Sequence, residues 1–358
     1  NTHYNDTLVQ FFGALILGNL ALGPRSLRKE IFNAGAPDSL ITAMVNHPDV
    51  ELIQRYSCWT LANFLRESDD EVQVPQVMLR LDMPMVVKEA MKRHIKKKDV
   101  QLYACGALLN LANSDRTMVE VLLSISAQKD VLNAMRSHPY EERVQEYGCA
   151  ILNKFSSVPT VVAKLLHSNT VEIVIDALSA NPESVNISHN AWRSLHNLCL
   201  TTTSLPHILK AMRNNIAKVS VQINGCITLK YLAQNLMKEE KYALVEFDAL
   251  NFILDTVIKV HGNVAAVMTE SCLALKAITE GYSTNAEAMI DAAGVQTIIN
   301  IMRAHPHHIE LQEAALGVLG NLTDIGINGP NDKHSAGPLH KRNAMQKLNA
   351  ATEIMVSM

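Results

Sequence analysis

The sequence predicts an all-α fold, a right-handed α-solenoid of about eight repeats, and three observations carry that prediction. The first is self-similarity. With Gln145 of the stretch VQEYGCAILNKF (144–155) as position 0, eight windows align, starting at Gln10, Gln54, Gln101, Gln145, Ser188, Gln222, Met268 and Gln312. All but one spacing lies between 43 and 47 residues. The second is the pattern inside each window. Position +3 is always small, +7 is always Leu, and +10 is Leu, Phe or Ile in all eight. Offsets of 3, 4, 7, 10 and 11 describe one face of a helix. The third is punctuation: none of the 12 prolines falls inside a window, and no alternating strand pattern competes. Units of this length cannot bury an apolar face alone and stack to do so.

Taken in order, each window is the last helix of a repeat. The first, over Gly13 and Leu17, begins just after His3, so its repeat lacks the two preceding helices. In the second to fourth repeats a further helix ends in AMVNHP (43–48), AMKRH (90–94) and AMRSHP (134–139). Proline after that helix stops it and starts a turn. Histidine sits at −7 in six repeats (His3, His47, His94, His138, His261 and His305), and Asn181 and Asn215 replace it in the fifth and sixth. Only 34 residues separate the fifth and sixth windows, which leaves no room for a first helix there. The eighth repeat is announced by IMRAHP (301–306). The array is therefore expected over 1–324, with repeats centred near 15, 59, 106, 150, 193, 227, 273 and 317. A Gly/Pro-rich stretch follows at 325–342, read as a loop that is either disordered or a binding appendage. NAATEIMVSM (349–358) aligns with AGVQTIINIM (293–302), so 343–358 reads as the start of a further, truncated repeat. Neither end carries a polar cap, and more repeats or flanking domains in cis are expected.

This profile resembles the armadillo repeat, whose third helix typically reads like VQEEAAWALSNLA. The resemblance covers essentially the whole chain. The AMxxH and VQExGCxAL flavour is similar to armadillo-repeat-only proteins and to the armadillo regions of large multidomain proteins such as leucine-rich-repeat kinases. The resemblance implies an armadillo/HEAT-type superhelix whose concave groove holds other proteins.

Five cysteines occupy position +4 (Cys58, Cys105, Cys149, Cys226 and Cys272) and the sixth, Cys199, occupies +11, all on the core side. There they act as small hydrophobes. Neighbouring repeats place them roughly 8–10 Å apart, too far for a disulfide. No CxxC pair suggests zinc. Six buried thiols fit a reducing compartment, cytoplasmic or nuclear. The histidines recur once per repeat at one helix end, where a ring can bond the last carbonyls. The methionines at −10 (Met44, Met91, Met135, Met212 and Met302) are core filler, and Trp192 at +4 is placed in the core. The basic run KRHIKKKD (92–99) reads as a solvated turn or a docking patch.

The opposite side of the third helix carries what packing within one repeat does not explain. Offsets +2, +5 and +9 lie at about 200°, 140° and 180° from position 0. The first four repeats show aromatics there: Phe12, then Tyr56 and Trp59, then Tyr103, then Tyr147. Five repeats have Asn at +9 (Asn19, Asn63, Asn110, Asn197 and Asn321), while Lys154 and Arg193 bring positive charge to the later ones. An Asn amide can bond both N–H and C=O of an extended chain. A repeat rise of about 10 Å matches roughly three extended residues. The asparagines could equally bond neighbouring repeats. Similarity to importin-α-type receptors, which pair Trp at +5 with Asn at +9, extends only to Trp59 with Asn63.

The expected function is a non-enzymatic protein-interaction scaffold that binds an extended segment or helix of a partner. Its expected partner-binding residues are Asn19, Tyr56, Trp59, Asn63, Tyr103, Asn110, Tyr147, Lys154, Arg193 and Asn197. The alternative is a regulatory arm of a larger enzyme such as a kinase or ubiquitin ligase. No nucleotide, nucleophile or metalloprotease motif occurs, and no catalytic residue, cofactor or metal is expected. A net charge of −3 points away from nucleic acid. No apolar run reaches the roughly 20 residues of a membrane span.

Overall fold

A computed structural model of the chain describes residues 3–66, 74–199 and 201–323. The insertion at 325–342 and the further repeat at 343–358 lie outside them. Among the described residues every regular element is helical. The chain divides into two compact units, one up to Ser194 and one from Leu195 on.

The first unit contains α1 (Thr7–Ala21), α2 (Arg25–Asn33), α3 (Ala36–Asn46), α4 (Glu51–Leu65), α5 (Val74–Arg80), α6 (Met83–Arg93) and α7 (Lys98–Ser114). It continues with α8 (Arg116–Ser124), α9 (Ala127–Ser137), α10 (Glu142–Ser156), α11 (Val162–His167), α12 (Thr170–Ala180) and most of α13 (Val185–Leu198). The windows predicted as third helices are α1, α4, α7, α10 and α13. They stack side by side, α4 between α1 and α7, and α7 between α4 and α10. Helices α3, α6, α9 and α12 are the second helices and form a parallel row, with α6 between α3 and α9.

Local chemistry sets the ends. Asp6 caps α1 by accepting from the N–H groups of Leu8 and Val9 at 3.0 and 3.1 Å. Asp115 caps α8 through the N–H of Met118. Each second helix starts from one left-handed corner residue, Gly35, Asp82, Ser126 or Asn169. The core is the predicted seam: Leu61, Leu108, Leu152, Cys58, Cys105 and Cys149 have no exposed surface. Position +3 must be small because the second helix lies directly on it. A Cβ on Gly148 would come within 2.5 Å of Met135, and one on Gly225 within 2.4 Å of Met212. Trp192, expected in the core, is instead half-buried.

The second unit repeats the plan with α14 (Leu205–Asn214), α15 (Val219–Asn235), α16 (Ala243–Glu246), α17 (Ala249–Asn251), α18 (Ile258–His261), α19 (Ala265–Thr279), α20 (Ser283–Asp291), α21 (Gly294–Ala304) and α22 (Ile309–Thr323). The third helices α15, α19 and α22 stack in order. The short spacing before α15 has the predicted consequence: a three-residue 3₁₀ turn, Thr202–Ser204, stands where a first helix would be. A π-helical segment, Phe252–Val257, joins α17 to α18 and was not foreseen. In the other repeats with a left-handed corner, the residue at −7 follows that corner by 12 positions, as from Ala293 to His305. From Asp248 to His261 there are 13. The π turn absorbs the extra residue and returns His261 to register.

Candidate functional site

In most repeats two side chains fix the turn between the second and third helices, one within the repeat and one to the repeat before it. The glutamine at position 0 reaches back to the end of its own second helix. Gln101 Nε2 donates to the carbonyls of Met91 and His94, both at 2.9 Å. Gln54, Gln145, Gln222 and Gln312 make the equivalent pair of bonds. These satisfy carbonyls that a helix terminus leaves open. The histidine at −7 does something different from the expected bond to its own helix: it reaches into the turn of the preceding repeat. His94 Nε2 lies 2.8 Å from the Pro48 carbonyl and His138 Nε2 2.7 Å from that of Ile95. His47, His261 and His305 do the same with Tyr4, Ile216 and Gly262. A carbonyl only accepts, so Nε2 carries the proton in each.

Three cations of the basic turn 92–99 are likewise spent largely between repeats. Arg93 pairs with Asp49 at 3.1 Å and Glu89 at 3.0 Å, Lys97 with Glu51 at 2.6 Å, and Lys98 with Glu141 at 3.2 Å. The six cysteines are buried and free, and burial pushes each thiol up to about 12. They are chemically quiet. Among the described residues, no group of three or more His, Cys, Asp and Glu side chains could hold a metal ion.

On the first unit, the side of the third helices opposite the seam carries a connected aromatic run. Ring centroids of Phe11 and Phe12 are 4.7 Å apart, Phe11 and Tyr56 5.4 Å, Tyr56 and Trp59 6.1 Å, and Trp59 and Tyr103 6.3 Å. Phe11, at +1, was not among the expected residues; it joins because α1 and α4 bring +1 and +2 together. Arg55 lies 5.1 Å from the Tyr56 ring centroid and pairs with Asp99 at 2.9 Å. Two of the aromatics, Trp59 and Tyr147, lean onto a glycine of the repeat before them. A Cβ on Gly18 would come within 2.3 Å of Trp59, and one on Gly106 within 3.3 Å of Tyr147. Tyr56, Trp59, Tyr103 and Tyr147 are half-buried, while Phe12 is 52% exposed.

The asparagines at +9 have a structural duty. Asn63 Nδ2 donates to the Gly18 carbonyl at 3.4 Å, and Asn110 Nδ2 to that of Ala62 at 2.9 Å. Asn321 repeats the bond in the second unit with Lys276. In each case the acceptor is the +8 carbonyl of the preceding third helix. Asn19 bonds Leu15 of its own helix at 3.1 Å. Asn197 is half-buried on α13. Lys154 is half-buried and Arg193 exposed, on α10 and α13 of the first unit. The helices α10 and α13 are neighbours there, with Asn186 Nδ2 2.8 Å from Glu146 and Asn153 Nδ2 3.2 Å from Asn190.

Comparison with known proteins agrees with this architecture. The family model "LRRK2 ARM repeat" matches residues 36–207, and "Protein zer-1 homolog-like, C-terminal domain" matches 158–327. No curated protein matches the sequence. Among solved structures, one from work on a phosphorylation switch controlling the interaction between cadherin and beta-catenin aligns with TM-score 0.51 and 16% identity. That alignment covers 86% of this chain and 56% of the other. Two engineered proteins align at TM-score 0.41 and 17% identity, over 67% and 68% of this chain and 97% and 99% of theirs. The two family models together reach from the second repeat to the end of the eighth, and the chain belongs to the armadillo-repeat family.

Proposed function

We propose that the chain is a protein-interaction scaffold and that the aromatic face of its first unit holds a segment of a partner protein. The observation that carries this is the connected run Phe12, Phe11, Tyr56, Trp59 and Tyr103 on the side away from the core. Aromatic rings offer a large apolar contact with polar edges, at small entropic cost on binding. Asn110, half-buried, spends one amide N–H on the stack and keeps a second N–H and the carbonyl oxygen for a partner backbone, whereas Asn63 is only 8% exposed and serves mainly the stack. Asn19, whose amide donates to Leu15 of its own helix, has the same capacity as Asn110. Tyr56, Trp59, Tyr103 and Tyr147 form the side walls. Lys154 and Arg193 supply a positive end of the first unit that suits carboxylates on the partner. The beta-catenin comparison, whose subject is a protein–protein interaction, supports the reading at the level of fold. Six buried thiols suit a reducing compartment, and we place the protein in the cytoplasm, with the nucleus as a second site.

A photo-crosslinking amino acid tests the face directly. Placed at Tyr103, it should capture discrete partner bands that fail to appear when it is placed at Tyr140, which is 85% exposed in the turn between α9 and α10. Equal capture at both positions would remove the assignment.

A further inference from the structure

Two apolar side chains on the second helices of the first unit stand where their counterparts in the other repeats are polar. At −9, Val45 of α3 is 59% exposed. Its counterparts are Lys92, Arg136, Ser179, Arg213, Lys259 and Arg303. Three residues past the left-handed corner, Met85 of α6 is 41% exposed. The other second-helix corners are followed there by Asp38, Lys129, Glu172, Asn251 and Gln296. Scattered exposed apolar residues need no explanation, but these two meet. Val45 and Met85 line one open groove of about 350 Å³ between α3 and α6, with Pro48, Val86 and Ala90 completing its apolar floor.

Stacking does not account for the pair. The −9 side chain elsewhere reaches forward to the next repeat: Arg136 donates to the Ser168 carbonyl at 2.9 Å, and Arg213 pairs with the corner residue Asp248 at 3.0 Å. Val45 faces the next repeat in the same way and can make no such bond. The rim of the groove is positive, with Lys88, Lys92 and Arg93 against one carboxylate, Glu89. Arg93 is held by Glu89 and Asp49, and Lys88 turns to the Ile125 carbonyl and Asp130. Lys92 is exposed and makes no hydrogen bond or ion pair among the described residues. Asp130, whose carboxyl senses Lys92, is 5% exposed and already sits beside Lys88. Met85, Glu89 and Lys92 share one face of α6, which sets the Lys92 backbone about 10 Å, two turns, along the axis from Met85.

We propose that this groove is a second docking site, separate from the aromatic face, and that its occupant is an amphipathic helix of a partner protein. The helix lays aliphatic side chains on Val45 and Met85 and sets a carboxylate, two turns along, on Lys92. A helix suits the groove because its walls are two neighbouring helices whose ridges accept a third. Among the described residues no sheet edge is present to pair a strand. The apolar floor supplies the contact, and the one unpaired rim cation sets the direction of the occupant.

A display library of helical peptides roughly 16 residues long, selected on the whole chain, tests this. Enriched peptides should carry aliphatic residues three or four positions apart and Asp or Glu two turns away. They should bind the Val45→Arg and Met85→Lys variants at least about tenfold more weakly than the unmodified chain. Both variants install what other repeats hold at the same position, Arg136 and Lys129, and circular dichroism checks that each is folded. Lys92→Glu should lose binding to a similar degree and regain it when the acidic residue of the peptide is exchanged for Lys. Tyr103→Ser, on the aromatic face, should leave peptide binding unchanged. No enrichment, or peptides indifferent to either Val45→Arg or Lys92→Glu, would overturn the proposal. So would a dimer that Val45→Arg dissociates in sedimentation, which makes a second copy the occupant, or binding to anionic phospholipid vesicles that Val45→Arg abolishes, which makes it a membrane.

Discussion

Glutamine at position 0 and histidine at −7 divide the end of the second helix between them. The glutamine closes the helix and the histidine ties that end to the repeat before it, and each can work alone: Gln222 makes its two bonds beside Asn215, and His261 reaches Ile216 with Met268 at position 0. Where asparagine replaces histidine, the tie is lost: Asn181 and Asn215 turn back to Ala177 and Ala211 of their own helices. Replacing His94, which is 8% exposed, by Ala leaves the Pro48 carbonyl without its partner and should cost about 1–3 kcal/mol in chemical denaturation. Asn181→His should recover about 1 kcal/mol by reaching the turn after His138. The sequence showed these residues recurring but not what they touch, because each bond spans more than 40 residues and depends on how repeats stack. The same holds for the +9 asparagines, whose tie to the preceding helix was one of two readings open from the sequence.

The thiols make a second prediction at this scale. Burial holds all six near 12 in the folded chain, while an unfolded thiol ionises near 9. Their raised folded values mean the contribution is fully present below about pH 9 and is lost as pH rises toward 12. Melting temperature should therefore be insensitive to these groups at pH 7–8 and fall steadily above about pH 9. At pH 8 a thiol reagent should label none of the six in the native chain and all six once it is unfolded.

At the level of the element, the eight third helices were readable because their periodicity is local and strong. The same register that exposed them also explains the π segment Phe252–Val257. Its signal was present in the sequence as one residue too many between Asp248 and His261, but the corner residue that starts the count becomes visible only in three dimensions. If the π turn is an accommodated insertion, deleting Thr256 should restore an ordinary α-helix and change the melting temperature by less than about 3 °C. Deleting Asn300 from α21, where the count is already regular, should displace His305 from Gly262 and cost several times as much. Thermal melts of the two deletion variants decide between them.

For the whole molecule, the solenoid explains why the inner seam can be nearly uniform while the opposite face is not. Stacking needs the same small, apolar and hydrogen-bonding positions in every repeat, so those recur. Aromatics at +2 and +5 occur only in the first four repeats, Lys154 and Arg193 follow at +9 of the fourth and +5 of the fifth, and Tyr231 at +9 is the one later aromatic at these offsets. The rings contact neighbouring repeats, yet stacking proceeds without them in the later repeats, and the proposed partner-binding face would explain why the first four carry them. The direct test compares partners captured by the wild-type chain with those captured by a Tyr103→Ser, Lys154→Glu, Arg193→Glu variant. Both are first shown to be equally helical and monodisperse, and recovery is quantified by mass spectrometry. The account predicts that a specific set of proteins is retained by the wild type and reduced at least about tenfold on the variant. An identical partner list at equal recovery would contradict it.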